Sequence, residues 1–147
     1  MSTSELARAQ AIVARATSNI TQMSGAITTA EEKIAALRRV IVRLEQTQGE
    51  IRSCGNWLED HAYEQHPHWK GKRRDDYCSY LVTDYVVAVR RLVLQVDEQI
   101  SRIEAEIAAQ RGSISDAESA IGRFQAERGA AQTRIANLGR SSGRMWG

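Results

Sequence analysis

Apolar residues recur along this chain with a seven-residue period, in two separate tracts. In the first, the a positions of the heptad are Leu6, Val13, Ile20, Ile27, Ile34, Ile41 and the polar Gln48, and the d positions run from Ala9 and Ala16 through Met23, Ala30, Leu37, Leu44 and Ile51 to Leu58. In the second, the a positions are Val86, Val93, Ile100, Ile107, Ile114, Ile121, Arg128 and Ile135, with d positions from Val82 and Val89 to Ala131 and Leu138. This spacing winds one apolar stripe along an α-helix and does not match the alternation of a strand. Only Gln110 and Arg128 interrupt the second stripe. The pattern predicts an all-α protein, a long antiparallel two-helix hairpin of the coiled-coil type.

The break between the tracts sets the expected boundaries. Residues 54–74 hold Gly55, the sole proline Pro67, Gly71, the three histidines and two of the three tryptophans, a composition that ends helices. The reading is therefore one hairpin domain over residues 1–138, with a helix at about 4–53, a loop at about 54–74, a helix at about 75–138, and a flexible tail at 139–147. Ser2 or Ser4 can cap the first helix with Glu5 in its first turn, and Asp75 and Asp76 favour the start of the second by opposing its dipole. Folding the chain at about residue 66 sets Cys54 opposite Cys78, and Leu37–Leu44 opposite Ala88–Gln95.

Near the loop end the apolar residues spread beyond one stripe. Val40, Leu81, Val87, Leu92 and Leu94 lie off the a and d positions, where a two-helix hairpin does not cover them. They are candidates for the interface with a further partner helix, the alternative being cover from curvature or a helical turn of the loop.

Composition narrows the function. The chain has 147 residues, 42% hydrophobic and 26% charged, so one domain is expected rather than a multidomain enzyme. Its 20 basic and 18 acidic residues leave a net charge of only +2 and alternate in sign, which does not call for nucleic acid. The longest apolar run, Tyr85–Val89, is far shorter than the roughly 20 residues of a membrane helix, so no membrane span is expected. Met1–Gln10 carries Glu5 and Arg8 with no apolar stretch after it, so no secretory signal peptide is read there. No glycine-rich phosphate loop, nucleophile elbow or carboxylate pair is evident, and the expectation is a protein that is not an enzyme and needs no cofactor.

Six of the eight aromatics, Trp57, Tyr63, Trp69, Tyr77, Tyr80 and Tyr85, fall in or beside the break. Among them Trp69, Lys70 and Gly71 spell Trp-x-Gly between two amphipathic helices, with Tyr77 six residues after the glycine. Glycine permits a backbone that other residues resist, and an indole can fold onto the helix ends. Here the sequence resembles the WXG family of small helical hairpins exported by type VII secretion systems, and more narrowly the longer coiled-coil variants encoded beside LXG toxins. The resemblance covers the helix, turn and helix of most of the chain, but few residues in identity.

That resemblance implies a binding partner or targeting chaperone, packed on the helical N-terminal domain of a secreted toxin, on a sister hairpin, or on both. It implies a cytoplasmic protein, or one exported by a signal-peptide-independent route. The family's export signal, Tyr-x-x-x-Asp/Glu, matches Tyr80 and Asp84 in spacing, which on a helix shares one face. In the family the signal usually follows the second helix, whereas here it follows the turn. The competing reading is a tyrosine packed at the loop end beside an exposed aspartate. A self-associating structural coiled coil, for example a homodimer, is the alternative to a toxin partner.

The remaining polar residues admit two readings each. Cys54 and Cys78 form a disulfide closing the loop, or stay as thiols in a reducing compartment. His61, His66 and His68 with the cysteines and Asp60 hold the donor types of a tetrahedral metal site, but match no zinc spacing, and solvated loop histidines are expected. Lys70, Lys72, Arg73 and Arg74 form a basic patch that Asp75 and Asp76 partly cancel.

Overall fold

The computed structural model describes the backbone of residues 2–61 and 71–146 and the side chains of residues 3–61 and 71–141. Two helices account for the described chain, α1 over Ser2–His61 and α2 over Lys72–Trp146, packed against each other as an all-α hairpin.

The heptad assignment holds along almost the whole of both helices. Every a and d position in α1 from Leu6 to Leu58 is buried or half-buried, and the other described α1 residues are exposed except Glu5, Ile12, Asn19 and His61. Each of those four sits one position before an a, at the edge of the seam. The polar side is satisfied locally: Thr21, Thr28, Thr29, Thr83, Ser113 and Thr133 each donate a hydroxyl to the carbonyl four residues back. These hydroxyls need no tertiary partner to stay within a helix.

The pair divides into two compact units. One comprises Met1–Ile34 with Ala108–Gly147. Its most buried residues are mainly alanines at d, Ala9, Ala16, Ala30, Ala117 and Ala131, beside isoleucines at a such as Ile34. Small residues at d let two helix backbones approach closely, while the β-branched a residues fill the layers between. The other unit is Ala35–Ile107. Its seam is built from larger residues, Leu37, Ile41, Leu44, Ile51 and Leu58 on α1 and Val82, Val86, Val89, Val93 and Val96 on α2, and all of these are half-buried.

Both helices are longer than expected. α1 runs through Gly55 and Trp57 to His61 instead of stopping near residue 53. Gly55 is a buried a position of the helix, where a small residue is required by packing, and so it is not a break. α2 begins at Lys72, and it continues through Gly139 to Trp146, the stretch expected to be a tail. Within the expected turn motif, Gly71 has φ of +111°, a conformation that glycine alone adopts without strain, and its carbonyl accepts from the Asp75 amide at 3.1 Å to open the first turn of α2. Trp69, His66 and His68 lie outside the described residues.

The register differs from the midpoint estimate. Pairing Cys54 with Cys78 sets Gly55 opposite Tyr77, but Gly55 meets Val89, twelve residues or more than three turns further along α2. Gln48 reaches Val93 and Asp97 in the same register. Cys54 is exposed and Cys78 buried, both as thiols, and they do not stand opposite each other as the midpoint register expected; of the two readings of the pair, the structure holds the thiols. The physical reason lies in the seam. Buried contacts decide which turns of two helices face each other, and the centre of a connecting segment carries no such information.

Candidate interaction surface

Within the Ala35–Ile107 unit, two contacts lock the helices side by side. Gln48 is 7% exposed, the one buried polar residue among the described residues, and its Nε2 donates to the Val93 carbonyl at 3.0 Å and to Asp97 Oδ1 at 2.6 Å. A buried amide in an apolar seam is costly in any register that leaves it without acceptors. Polar residues at a positions specify coiled-coil alignment for this reason. One turn pair away, the space beside Gly55 is filled by Val89, whose Cγ1 lies 2.9 Å from the site a β-carbon would take. Sequence reasoning passed over both residues. The visible signal was a lone glutamine in a run of apolar a positions, followed seven residues later by glycine.

With the seam fixed, the apolar residues that remain outside it fall on two opposite sides. In each helix the e and b positions flank the seam on one side, and the g and c positions flank it on the other. Val87 and Leu94 occupy b positions of α2, seven residues apart, and are 49% and 62% exposed. Tyr80 extends that stripe by one heptad, and Val42 holds a b position of α1. On the other side, Val40 of α1 and Tyr85 and Leu92 of α2 are exposed at g positions, and Leu81 at c is half-buried. Of the five interface candidates, Val40, Val87, Leu92 and Leu94 are thus exposed, yet they do not make one patch. Among the described residues, the exposed large apolar ones, from Val40 to Leu94, all belong to this unit.

The e and b side carries an open groove of about 580 Å³. Gly55, Val86, Val89 and Val93 form its apolar floor, and Arg52, Glu59, Arg90 and Asp97 its charged rim. The groove exists because Gly55 and Asn56 contribute little side chain on the α1 wall.

Near the end of α1, the rings of Trp57 and His61 stack with centroids 4.7 Å apart and planes 11° from parallel. His61 Nδ1 stands 2.9 Å from the Trp57 carbonyl and donates to it in the Nδ1–H tautomer, which satisfies a carbonyl of the last turn. His61 is thereby engaged within its own helix. Among the described residues no group of three or more His, Cys, Asp or Glu gathers in metal-binding geometry.

Tyr80 and Asp84 lie on one exposed face of α2, as their spacing requires. The Tyr80 hydroxyl donates to the Asp84 carboxylate, and this bond together with the negative charge raises the phenol pKa above its ordinary value. Tyr80 is 65% exposed, so it is not packed into the loop end as the competing reading expected. Tyr77, the aromatic after the glycine, is also on the surface of α2 at 46% exposure.

These features define a two-helix coiled-coil hairpin in which, among the described residues, the exposed large apolar side chains lie in one unit. The YwqH-like family matches residues 13–133, and the chain belongs to that family. No curated protein and no solved structure matches it. Among the described residues no helix is long and apolar enough to cross a membrane.

Proposed function

We propose that the chain is a non-enzymatic binding partner or targeting chaperone of a type VII secreted LXG-type toxin, acting by helix-on-helix packing. The observation that carries this reading is the set of exposed large apolar residues between Val40 and Leu94. Apolar stripes with seven-residue spacing on an already paired helix are what a further helix packs against. The Trp69 to Gly71 resemblance supplies the kind of partner, the helical N-terminal domain of the toxin, a sister hairpin, or both.

In this reading the partner helix lies along the g and c side, over Val40, Tyr85 and Leu92. The complex forms in the cytoplasm. If the chain is exported with its partner, Tyr80 and Asp84 are exposed for an export receptor to read. Trp69 would hold the turn.

Co-expression with the helical N-terminal domain of an LXG toxin encoded beside this chain, followed by affinity purification and light scattering, tests the proposal. The expected result is a stoichiometric complex that Leu92→Glu abolishes while the variant alone keeps its helicity. Trp69→Ala should weaken both melting temperature and capture. A toxin domain that never co-elutes with the wild-type chain would sink the reading.

A further inference from the structure

The groove on the e and b side of the Ala35–Ile107 unit is cationic in the middle and anionic at both ends, and we infer that it docks a helix of a protein partner carrying one carboxylate between two basic residues. This goes beyond the toxin-partner reading and uses the opposite side of the hairpin.

The register sets the order of charges along the groove. Gly55 stands against Val89, so Arg52, one turn before Gly55, is level with Leu92 on α2. Arg90 lies only about 3 Å from that level along the axis. Both arginines are e positions, on the same side of the seam, and both line the groove. Glu59 follows Arg52 by one heptad on α1, and Asp97 follows Arg90 by one heptad on α2. Because the helices are antiparallel, these two steps run in opposite directions. The order along the groove is therefore Asp97, Arg52, Arg90 and Glu59, a pair of cations with an anion about 9 Å to either side of their midpoint.

The two cations lack an anion of their own. On α1 the residues three and four places from Arg52 are Gln48, Gly49, Gly55 and Asn56, none of them acidic. Around Arg90 the same places hold Val86, Val87, Val93 and Leu94, so neither helix offers an acid at the spacing that pairs side chains. Among the described residues neither guanidinium forms an ion pair. Of the two carboxylates at the ends, that of Asp97 accepts from the Gln48 amide. Like charges at neighbouring levels above the apolar floor of Gly55, Val89 and Val93 repel each other. A carboxylate placed between them replaces that repulsion with charge-assisted hydrogen bonds, for which a guanidinium is well shaped. Asn56, one turn beyond Arg52, also lines the groove and adds an amide donor.

The ends of the groove decide what carries the carboxylate. A polyanion, such as a nucleic acid or an anionic membrane, lays further negative charge over Glu59 and Asp97 and is repelled there. A helix with an acidic residue and a lysine or arginine one heptad before and after it presents all three on one face, about 10 Å apart, and meets every charge of the groove with its opposite. Apolar residues of that helix at three- and four-residue spacing rest on the floor and against Val87 and Leu94, which are 49% and 62% exposed. Two heptads of helix suffice, because the four charges span about 18 Å.

Fluorescence anisotropy of labelled helical peptides titrated with the full chain tests the inference. Three peptides share leucines at the apolar positions and carry, one heptad apart, either Lys, Glu and Lys, or Glu, Lys and Glu, or three lysines. The Lys, Glu, Lys peptide is expected to bind about tenfold or more tightly than either of the others. Arg52→Gln and Arg90→Gln should each weaken it without loss of helicity. The double variant Arg52→Glu with Arg90→Glu should transfer the preference to the three-lysine peptide. Leu92→Glu, on the opposite side, should leave binding unchanged. No binding of any peptide, equal binding of the three, or indifference to the arginine variants would each overturn the inference. Duplex DNA or phosphatidylglycerol vesicles held through Arg52 and Arg90 would overturn it as well. None of these outcomes bears on toxin capture, which is read separately by co-purification.

Discussion

Gly55 of α1 packs so tightly on Val89 of α2 that an added β-carbon would lie 2.9 Å from one valine methyl and 3.2 Å from the other. Other helical glycines, among them Gly112 and Gly122, have nothing within 4 Å. One residue type therefore has opposite roles along the same pair of helices. Replacing a helix glycine by alanine gains about 1 kcal/mol in propensity, whereas overpacking a close contact costs about 1–3 kcal/mol. Gly112→Ala should raise the melting temperature, and Gly55→Ala should lower it by a net loss of up to about 2 kcal/mol. Val89→Ala in the Gly55→Ala background should recover part of the loss. Thermal melts followed by circular dichroism decide the matter, and a gain at both glycines would refute the close-contact account.

The Gln48 amide ties the helices at Val93 and Asp97. A double-mutant cycle with Gln48→Ala and Asp97→Ala should give a coupling of about 1 kcal/mol, the scale of a hydrogen bond to a partly solvated carboxylate. Gln48→Leu is expected to keep or increase overall helicity while loosening the alignment, because an apolar residue at a packs in more than one register. Amide spectra would show this as extra or broadened peaks for residues near Val93. A single sharp set of peaks in Gln48→Leu would argue that Gly55 alone fixes the alignment.

Cys54 is exposed and Cys78 has no accessible surface, and they are more than three turns out of register. A thiol reagent should modify one cysteine promptly in the native protein and the second only as the helices open. Cys54→Ser should abolish the fast phase and Cys78→Ser the slow one. Recovery of a Cys54 to Cys78 disulfide from the native protein under mild oxidation would contradict the observed alignment.

Tyr80 donates to Asp84, and the bond and charge raise its pKa above 10.0. The native chain thus holds the phenol proton more firmly than the unfolded chain does. The sign follows: any stabilisation from the pair is complete below the unfolded value near 10 and is lost as pH rises through the higher folded value. Asp84→Asn should move the Tyr80 midpoint down toward the ordinary tyrosine value. Titration of the tyrosine ring carbons by NMR reads the shift for this residue separately, and an unchanged midpoint would show that the two side chains do not meet in solution.

Much of this was legible in the chain before folding. Seven-residue spacing identified both helices, their shared seam and the residues that line it, since the period of an α-helix is a local property of the backbone. The surplus apolar residues Val40, Leu81, Val87, Leu92 and Leu94 were visible for the same reason, as positions off the a and d stripe. Their exposure, in four of the five, is a consequence of a hairpin covering one stripe per helix. Helix ends were read less well, because Gly55 and Gly139 look like punctuation in a sequence, whereas Gly55 serves as a close contact and Gly139 is carried within α2.

The alignment of the helices was decided only in three dimensions. A heptad repeat is nearly unchanged by sliding one helix past another by seven residues, so the apolar pattern admits several registers of similar burial. Gln48 needs acceptors and Val89 needs a partner without a side chain, and these two requirements choose among them. That choice separates Cys54 from Cys78, sets Gly55 against Val89 and gives the Gln48 amide its two acceptors.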